Sequence, residues 1–149
     1  MRYRLQTSRW FVVREPGAPS PRVLSQPENA AALGADLVAG NADDQEHFWV
    51  VLLNTQNHYL SASKVAMGTQ QACLVDPKAI FRVALLGGAT AVILLHNHPS
   101  GDPTPSHEDV RLTRQLVECA HMFELRVHDH IIIGNGTGRW ESLARKGLL

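Results

Sequence analysis

The sequence predicts an α/β fold with a mixed central sheet and helices on both of its faces. Apolar runs typical of strands alternate with helical segments in the order β-α-β-β-α-β-α-β, the order of a layered α/β domain. Residues 46–53 and 92–95 are apolar beyond their starts, as in strands covered on both faces. A polar turn at residues 54–57 precedes a more polar strand at 58–66, which predicts an antiparallel hairpin.

The length and composition are those of one ordinary globular domain. The chain has 149 residues, of which 44% are hydrophobic and 19% charged, enough for a full core. Its 14 basic and 14 acidic residues cancel, so no broad attraction to nucleic acid or membrane is predicted. We see no signal peptide or bilayer-spanning apolar stretch and therefore expect a cytoplasmic protein. Cys73 and Cys119 form no C-x-x-C pair, and we expect reduced thiols.

The chain divides into a short N-terminal part and a main domain. Residues 1–24 contain one predicted strand, at 5–13, and a proline-rich connector; residues 25–149 form the domain. Its first helix is predicted to begin at a Ser25 cap and to end at Gly40. The second begins at Asp76 and ends at Gly87. The third spans 106–123 with a buried stripe that includes Phe123, and the last strong strand spans 125–133.

Residues 92–109 place three metal-binding side chains at one point. The apolar strand ends in His96 and His98, whose i, i+2 spacing directs both imidazoles to the same face. A loop rich in proline and glycine follows, and Ser106 is a natural helix cap. Asp109, three residues later, faces back toward the strand end. Two neutral imidazoles and a carboxylate are a zinc ligand set that leaves a fourth position for water. The simpler alternative is that Ser106 and Asp109 form only a structural capping box.

These residues carry a resemblance to a known family. The spacing His-x-His, seven residues, Ser, two residues, Asp resembles the JAMM (MPN+) metalloprotease signature, and residues 96–102 resemble its RadC branch. The resemblance covers roughly residues 27–149. It implies an MPN-type α/β/α sandwich, an architecture like that of cytidine deaminases, and Zn²⁺ bound by His96, His98 and Asp109. Full-length RadC proteins usually carry a helix-hairpin-helix region, and we expect a short form without one.

The resemblance also implies two catalytic residues. Glu46 opens a strand and lies on the same face of it as Phe48, Val50 and Leu52, which should be buried. From the residues alone, a carboxylate fraying into solvent at a strand end is the more common arrangement. The resemblance implies instead that Glu46 is the general base, and Ser106 is the candidate donor to the oxyanion.

Two further histidines lie on the last strong strand. His128 and His130 are predicted to share a face, and residues 129–134 resemble the family's Asp-His-Ile segment. His130 could support the site or line its cleft. A satisfied, partly buried histidine is the favoured interpretation.

The leading functional hypothesis is a zinc-dependent hydrolase that cleaves a peptide or isopeptide bond in an unknown protein or peptide substrate. One alternative is a DNA-repair-associated binding module with a non-catalytic zinc, for which His107 or His128 could supply a fourth ligand. The other is a metal-dependent nuclease, although no second metal site or basic cleft is evident. We expect the isolated chain to bind nucleic acid weakly or not at all, though it could reach DNA through other proteins.

Overall fold

The computed structural model of the protein describes residues 22–41, 44–68 and 75–149. The strand predicted at 5–13 and the thiol of Cys73 lie outside these ranges. Within them the elements are α1 (Pro27–Ala39), β1 (His47–Leu53), β2 (Tyr59–Met67), α2 (Pro77–Leu86), β3 (Ala91–His98), α3 (His107–His121), β4 (Arg126–Gly134) and β5 (Trp140–Ser142). No helix in the described ranges is both long enough and apolar enough to cross a membrane.

The strands form one mixed sheet in the order β2-β1-β3-β4-β5. β1 runs antiparallel to both β2 and β3, and β5 runs antiparallel to β4. β3 and β4 are parallel, and α3 is the crossover between them, as a parallel pair requires. The predicted hairpin and the predicted mixed sheet are therefore both confirmed.

Each face of the sheet has its own apolar core. On one face, α1 packs its alanines and Leu33 against alternate residues of the central strands, Trp49, Val51, Leu53, Ile93, Leu95, Ile131 and Ile133. On the other face, α2 and α3 cover the intervening residues Phe48, Val50, Leu52, Val92 and Leu94. Because side chains alternate along a strand, His96 continues the second set beyond Leu94. The α2/α3 face therefore carries the first of the predicted metal ligands.

The helix starts follow local sequence with one exception. Asp76 caps α2, accepting a hydrogen bond from the Lys78 amide at 2.9 Å, as predicted. α1 has Gln26, not Ser25, at its N-cap, and no side chain caps it. Pro27 then occupies the first helical turn, where the missing N–H is not needed. The prediction of Ser25 as a cap is wrong by one residue.

The end of α3 differs from the sequence prediction. Leu116 and Ala120 are buried as expected, but Phe123 is 48% exposed. The helix ends at His121, and Glu124 adopts a left-handed conformation with φ 54 that reverses the chain. Phe123 thus leaves the buried stripe and instead contacts Phe81, with ring centroids 5.3 Å apart. Cys119, on the same helix, is a free and half-buried thiol.

Candidate metal centre

Three side chains converge where β3 ends and α3 begins. Nε2 of His96 lies 3.3 Å from Oδ1 of Asp109, and Nε2 of His98 lies 3.4 Å from Oδ2 of the same carboxylate. The two Nε2 atoms are 2.9 Å apart. The structure therefore brings together the three residues that the sequence predicts as metal ligands.

The helix cap aims the carboxylate. Ser106 Oγ accepts a hydrogen bond from the Asp109 amide at 3.1 Å, and Asp109 Oδ2 accepts one from the Ser106 amide at 2.7 Å. This reciprocal capping box uses one side of Oδ2. Oδ1 and the remaining lone pairs face the imidazoles. The structural and the metal-binding interpretations of this pair are therefore compatible, because the cap orients the carboxylate toward the histidines.

The donor set fits a metal ion. Ligand atoms at zinc-like bond lengths in a tetrahedral site are separated by about 3.3 to 3.5 Å. Both nitrogen–oxygen distances match this range, and the two Nε2 atoms, at 2.9 Å, are closer together than it requires. Among the described residues, His96, His98 and Asp109 are the group of possible ligands close enough to share an ion. Neither His107, which is exposed at the start of α3, nor His128 belongs to it.

The electrostatics of the site favour an ionised carboxylate. Burial would raise the pKa of Asp109, but its close contacts with the His96 and His98 imidazoles hold it far below its usual range. Burial would likewise lower the pKa of His98, but Asp109 and a backbone carbonyl outweigh burial and raise it. The site therefore favours a negatively charged carboxylate next to positive charge.

Glu46 lies on the same side of the sheet as the ligands. Antiparallel pairing of Phe48 with His96 carries Glu46, two residues earlier, toward His98. The side chain is half-buried, and burial raises its pKa, while the two histidines act in the opposite direction. Glu46 is thus a half-buried carboxyl group that interacts electrostatically with all three potential metal ligands.

Asn97 anchors the segment around Glu46, a role that the sequence did not reveal. Its Oδ1 accepts from the His47 amide at 2.8 Å, and its Nδ2 donates to the Gln45 carbonyl at 3.0 Å. The residue between the two candidate ligand histidines therefore holds both neighbours of Glu46. Because Asn97 is buried, this connection is shielded from competing water.

His130 is fully buried, more so than the partly buried histidine favoured from sequence. Its Nε2 lies 2.7 Å from Nδ1 of His96, and its Nδ1 lies 2.6 Å from Oγ1 of Thr113. Burial lowers the pKa of His130 well below its usual value. Sequence reasoning missed Thr113; the available signal was its position four residues after Asp109, on the same face of α3.

His128 lies apart from the site. The pairing of β3 with β4 passes from Val127 to Asp129, so His128 is an additional residue that interrupts the predicted alternation with His130. Its Nε2 lies 2.8 Å from Oδ1 of Asn57, in the turn between β1 and β2. That turn is at the opposite end of the sheet from the ligands.

The layers, the strand order and the site define an MPN-type α/β/α domain with a candidate metal centre at the end of β3. The sequence matches the family described as RadC-like JAB domain over residues 24–148. The chain therefore belongs to this family.

Relatives named UPF0758 proteins occur in several bacteria. A UPF0758 protein of Desulforudis audaxviator is 43% identical over 133 residues, which cover 89% of this chain and 56% of the relative. One from Desulforamulus reducens is 46% identical over 106 residues, covering 71% of this chain and 46% of the relative. One from Moorella thermoacetica is 42% identical over 130 residues, which cover 87% of this chain and 55% of the relative. The chain thus spans about half the length of the curated relatives it matches.

Proposed function

We propose that this domain is a zinc-dependent hydrolase of amide bonds, acting on a peptide or isopeptide bond. The observation that supports this most directly is the convergence of His96, His98 and Asp109, with Glu46 on the same side of the sheet. Three protein ligands leave a coordination position open, which is typical of catalytic rather than structural zinc sites. Zinc bound there would polarise the scissile carbonyl and lower the pKa of water to about 7.

Glu46 is the proposed general base. Its carboxylate takes a proton from the attacking water as the new carbon–oxygen bond forms, and it returns that proton to the amine nitrogen as the carbon–nitrogen bond breaks. Partial burial suits this role because a raised pKa brings the carboxyl group closer to working pH. The hydrogen bonds between Asn97 and the backbone of Gln45 and His47 hold the chain on either side of Glu46 in place through both transfers.

Ser106 is the proposed donor to the oxyanion. Its Oγ accepts the Asp109 amide hydrogen through a lone pair, which does not use the hydroxyl proton. Ser106 is exposed, so this proton can reach the oxygen of a bound substrate. Loss of one such donor costs about 3 kcal/mol of transition-state stabilisation in other enzymes.

The accessible side of the site indicates where substrate would approach. The side chain of His96 is 0% exposed, whereas those of His98 and Asp109 are 17% and 14% exposed. Ser106 borders the same opening. A protein or peptide chain would therefore approach over the loop between β3 and α3.

The alternatives of a nuclease and of a DNA-repair-associated binding module remain predictions from the sequence.

Glu46→Gln tests the proposed chemistry. Zinc-reconstituted protein is incubated with a proteome-derived peptide library, and new amino termini are counted by mass spectrometry. We expect the parent to cleave, and the variant to retain one zinc but lose about 100-fold or more of the rate, because an amide cannot take the proton.

Glu108→Gln is the matched control, because Glu108 is exposed and pairs with Arg111 beside the site. This variant should cleave like the parent. Cleavage by Glu46→Gln at a rate near that of the parent would show that Glu46 is not the base. Absence of cleavage by the zinc-loaded parent would contradict hydrolysis of peptide bonds.

A further inference from the structure

We propose that Thr113 and His130 are positioning residues that set the tautomer of His96 and thereby present its Nε2 lone pair to the metal. This inference rests on the proposed metal site and explains how one of its ligands is prepared. It follows from a chain of hydrogen bonds whose direction is determined at one end.

The chain ends at the backbone carbonyl of Asp109. A carbonyl oxygen can only accept, so the Thr113 hydroxyl, 2.6 Å away, must donate to it. The hydroxyl has one proton, and this bond uses it. Toward its other neighbour, Thr113 can therefore only accept.

That neighbour is Nδ1 of His130, 2.6 Å from Oγ1 of Thr113. Nδ1 must carry the proton that Thr113 accepts. His130 is 0% exposed, and its two ring nitrogens contact His96 and Thr113, neither of which is an anion. A second proton would create a buried charge without a partner, so Nε2 of His130 keeps its lone pair.

The lone pair on Nε2 of His130 fixes the position of the proton on His96. Nε2 of His130 accepts from Nδ1 of His96 across 2.7 Å, which places the proton of the neutral His96 ring on Nδ1. Nε2 of His96 is then unprotonated, and this is the atom that faces Asp109 at 3.3 Å. The hydrogen bonds thus select the one neutral tautomer that can bind a metal at this point.

Phe48 isolates this network from solvent. Its ring stacks on His96 with centroids 5.7 Å apart and an interplanar angle of 9°. It meets His130 edge-on at 5.4 Å. Water is thereby kept from replacing Thr113 or His130 as a partner, and a lost partner in this position is not easily substituted.

Two substitutions at Thr113 separate this role from simple packing. Thr113→Val preserves the shape but removes the hydroxyl, so Nδ1 of His130 loses its acceptor and the proton of His96 is no longer directed to Nδ1. We expect zinc affinity, measured by chelator competition, to fall about 10- to 100-fold. Thr113→Ser keeps the hydroxyl and should stay within about threefold of the parent affinity.

Nitrogen-15 spectra of the metal-free protein at pH 8 report the tautomer directly. The parent should show the His96 proton on Nδ1, Thr113→Ser should match it, and Thr113→Val should move population toward the Nε2–H form. A parent spectrum with the proton on Nε2 overturns the inference, even if Thr113→Val does not fold. So does an unchanged zinc affinity in folded Thr113→Val. A parent that shows the expected tautomer and affinities but cleaves no peptide contradicts the proposed hydrolysis alone.

Discussion

His96 and His98 offer the same atom to the same carboxylate but are held by different parts of the molecule. Their Nε2 atoms lie 3.3 and 3.4 Å from Asp109. His96 is fully buried, and its other nitrogen contacts a side chain of β4. His98 is partly exposed, and its Nδ1 lies 2.8 Å from the backbone carbonyl of Asp102, to which it donates. The orientation of His96 thus depends on core packing, whereas that of His98 depends on a loop.

The loop that positions His98 is itself anchored by hydrogen bonds. Gly101 has φ 84 and donates its amide hydrogen to the His98 carbonyl at 3.0 Å. The Asn135 amide donates to the same carbonyl at 3.1 Å, and Thr137 Oγ1 donates to the Gly101 carbonyl at 3.3 Å. The loop is therefore attached to the turn between β4 and β5.

The largest expected effect comes from removing either histidine. His96→Ala and His98→Ala should each lose stoichiometric zinc. The metal-free His96→Ala protein should also lose about 3 kcal/mol of unfolding free energy, because a cavity opens and His130 loses a partner. His98→Ala should lose less than about 1 kcal/mol. Elemental analysis and urea unfolding provide both measurements. Equal stability losses would refute the distinction between core and loop.

A smaller effect is expected from the loop itself. In Gly101→Ala, the new Cβ would lie 2.9 Å from Thr137 Cγ2, in addition to the left-handed strain of about 1 kcal/mol. The loop must shift, so the Asp102 carbonyl moves away from His98, and zinc affinity should fall about tenfold.

Gly136→Ala is the matched control for the loop. Gly136 has φ 68, yet a Cβ there would meet no atom within 4 Å. This variant should show the left-handed strain alone and keep the parent zinc affinity. A similar loss of affinity in both variants would mean that strain, and not displacement of the loop, is the cause.

The smallest expected effect concerns His128, the histidine of β4 outside the network. Burial, and secondarily Arg126, lower its pKa in the folded state. The unfolded chain therefore binds a proton at His128 more readily than the folded protein does. The stability that the folded protein has with a neutral His128 is complete above about pH 6.5 and decreases as the pH falls toward the folded pKa. His128→Gln should reduce the loss of unfolding free energy between pH 7.5 and 5.5 by a few tenths of a kcal/mol, since solvent screens a partly exposed group. An unchanged pH dependence in denaturant titrations would contradict this.

The sequence by itself determined which three side chains meet at the end of β3, and most of the elements, because these depend on short separations. The i, i+2 spacing places His96 and His98 on one face of a strand, and the i, i+3 capping box returns Asp109 to them. The alternation along β1 places Glu46 with Phe48 for the same reason. Where a local signal was ambiguous, as with the cap of α1 or the end of α3, the prediction erred by one or two residues, within the normal fraying of helix ends.

Only the tertiary structure decided how the candidate ligands are held. Asn97 reaches Gln45 across 52 positions, His130 reaches His96 across 34, and Thr113 reaches His130 across 17. These contacts exist because β3 lies between β1 and β4 while α3 crosses over them. No local pattern encodes such a meeting. Whether a buried histidine is an inert core residue or directs the proton of a ligand depends on its neighbours in space, which chain packing alone provides.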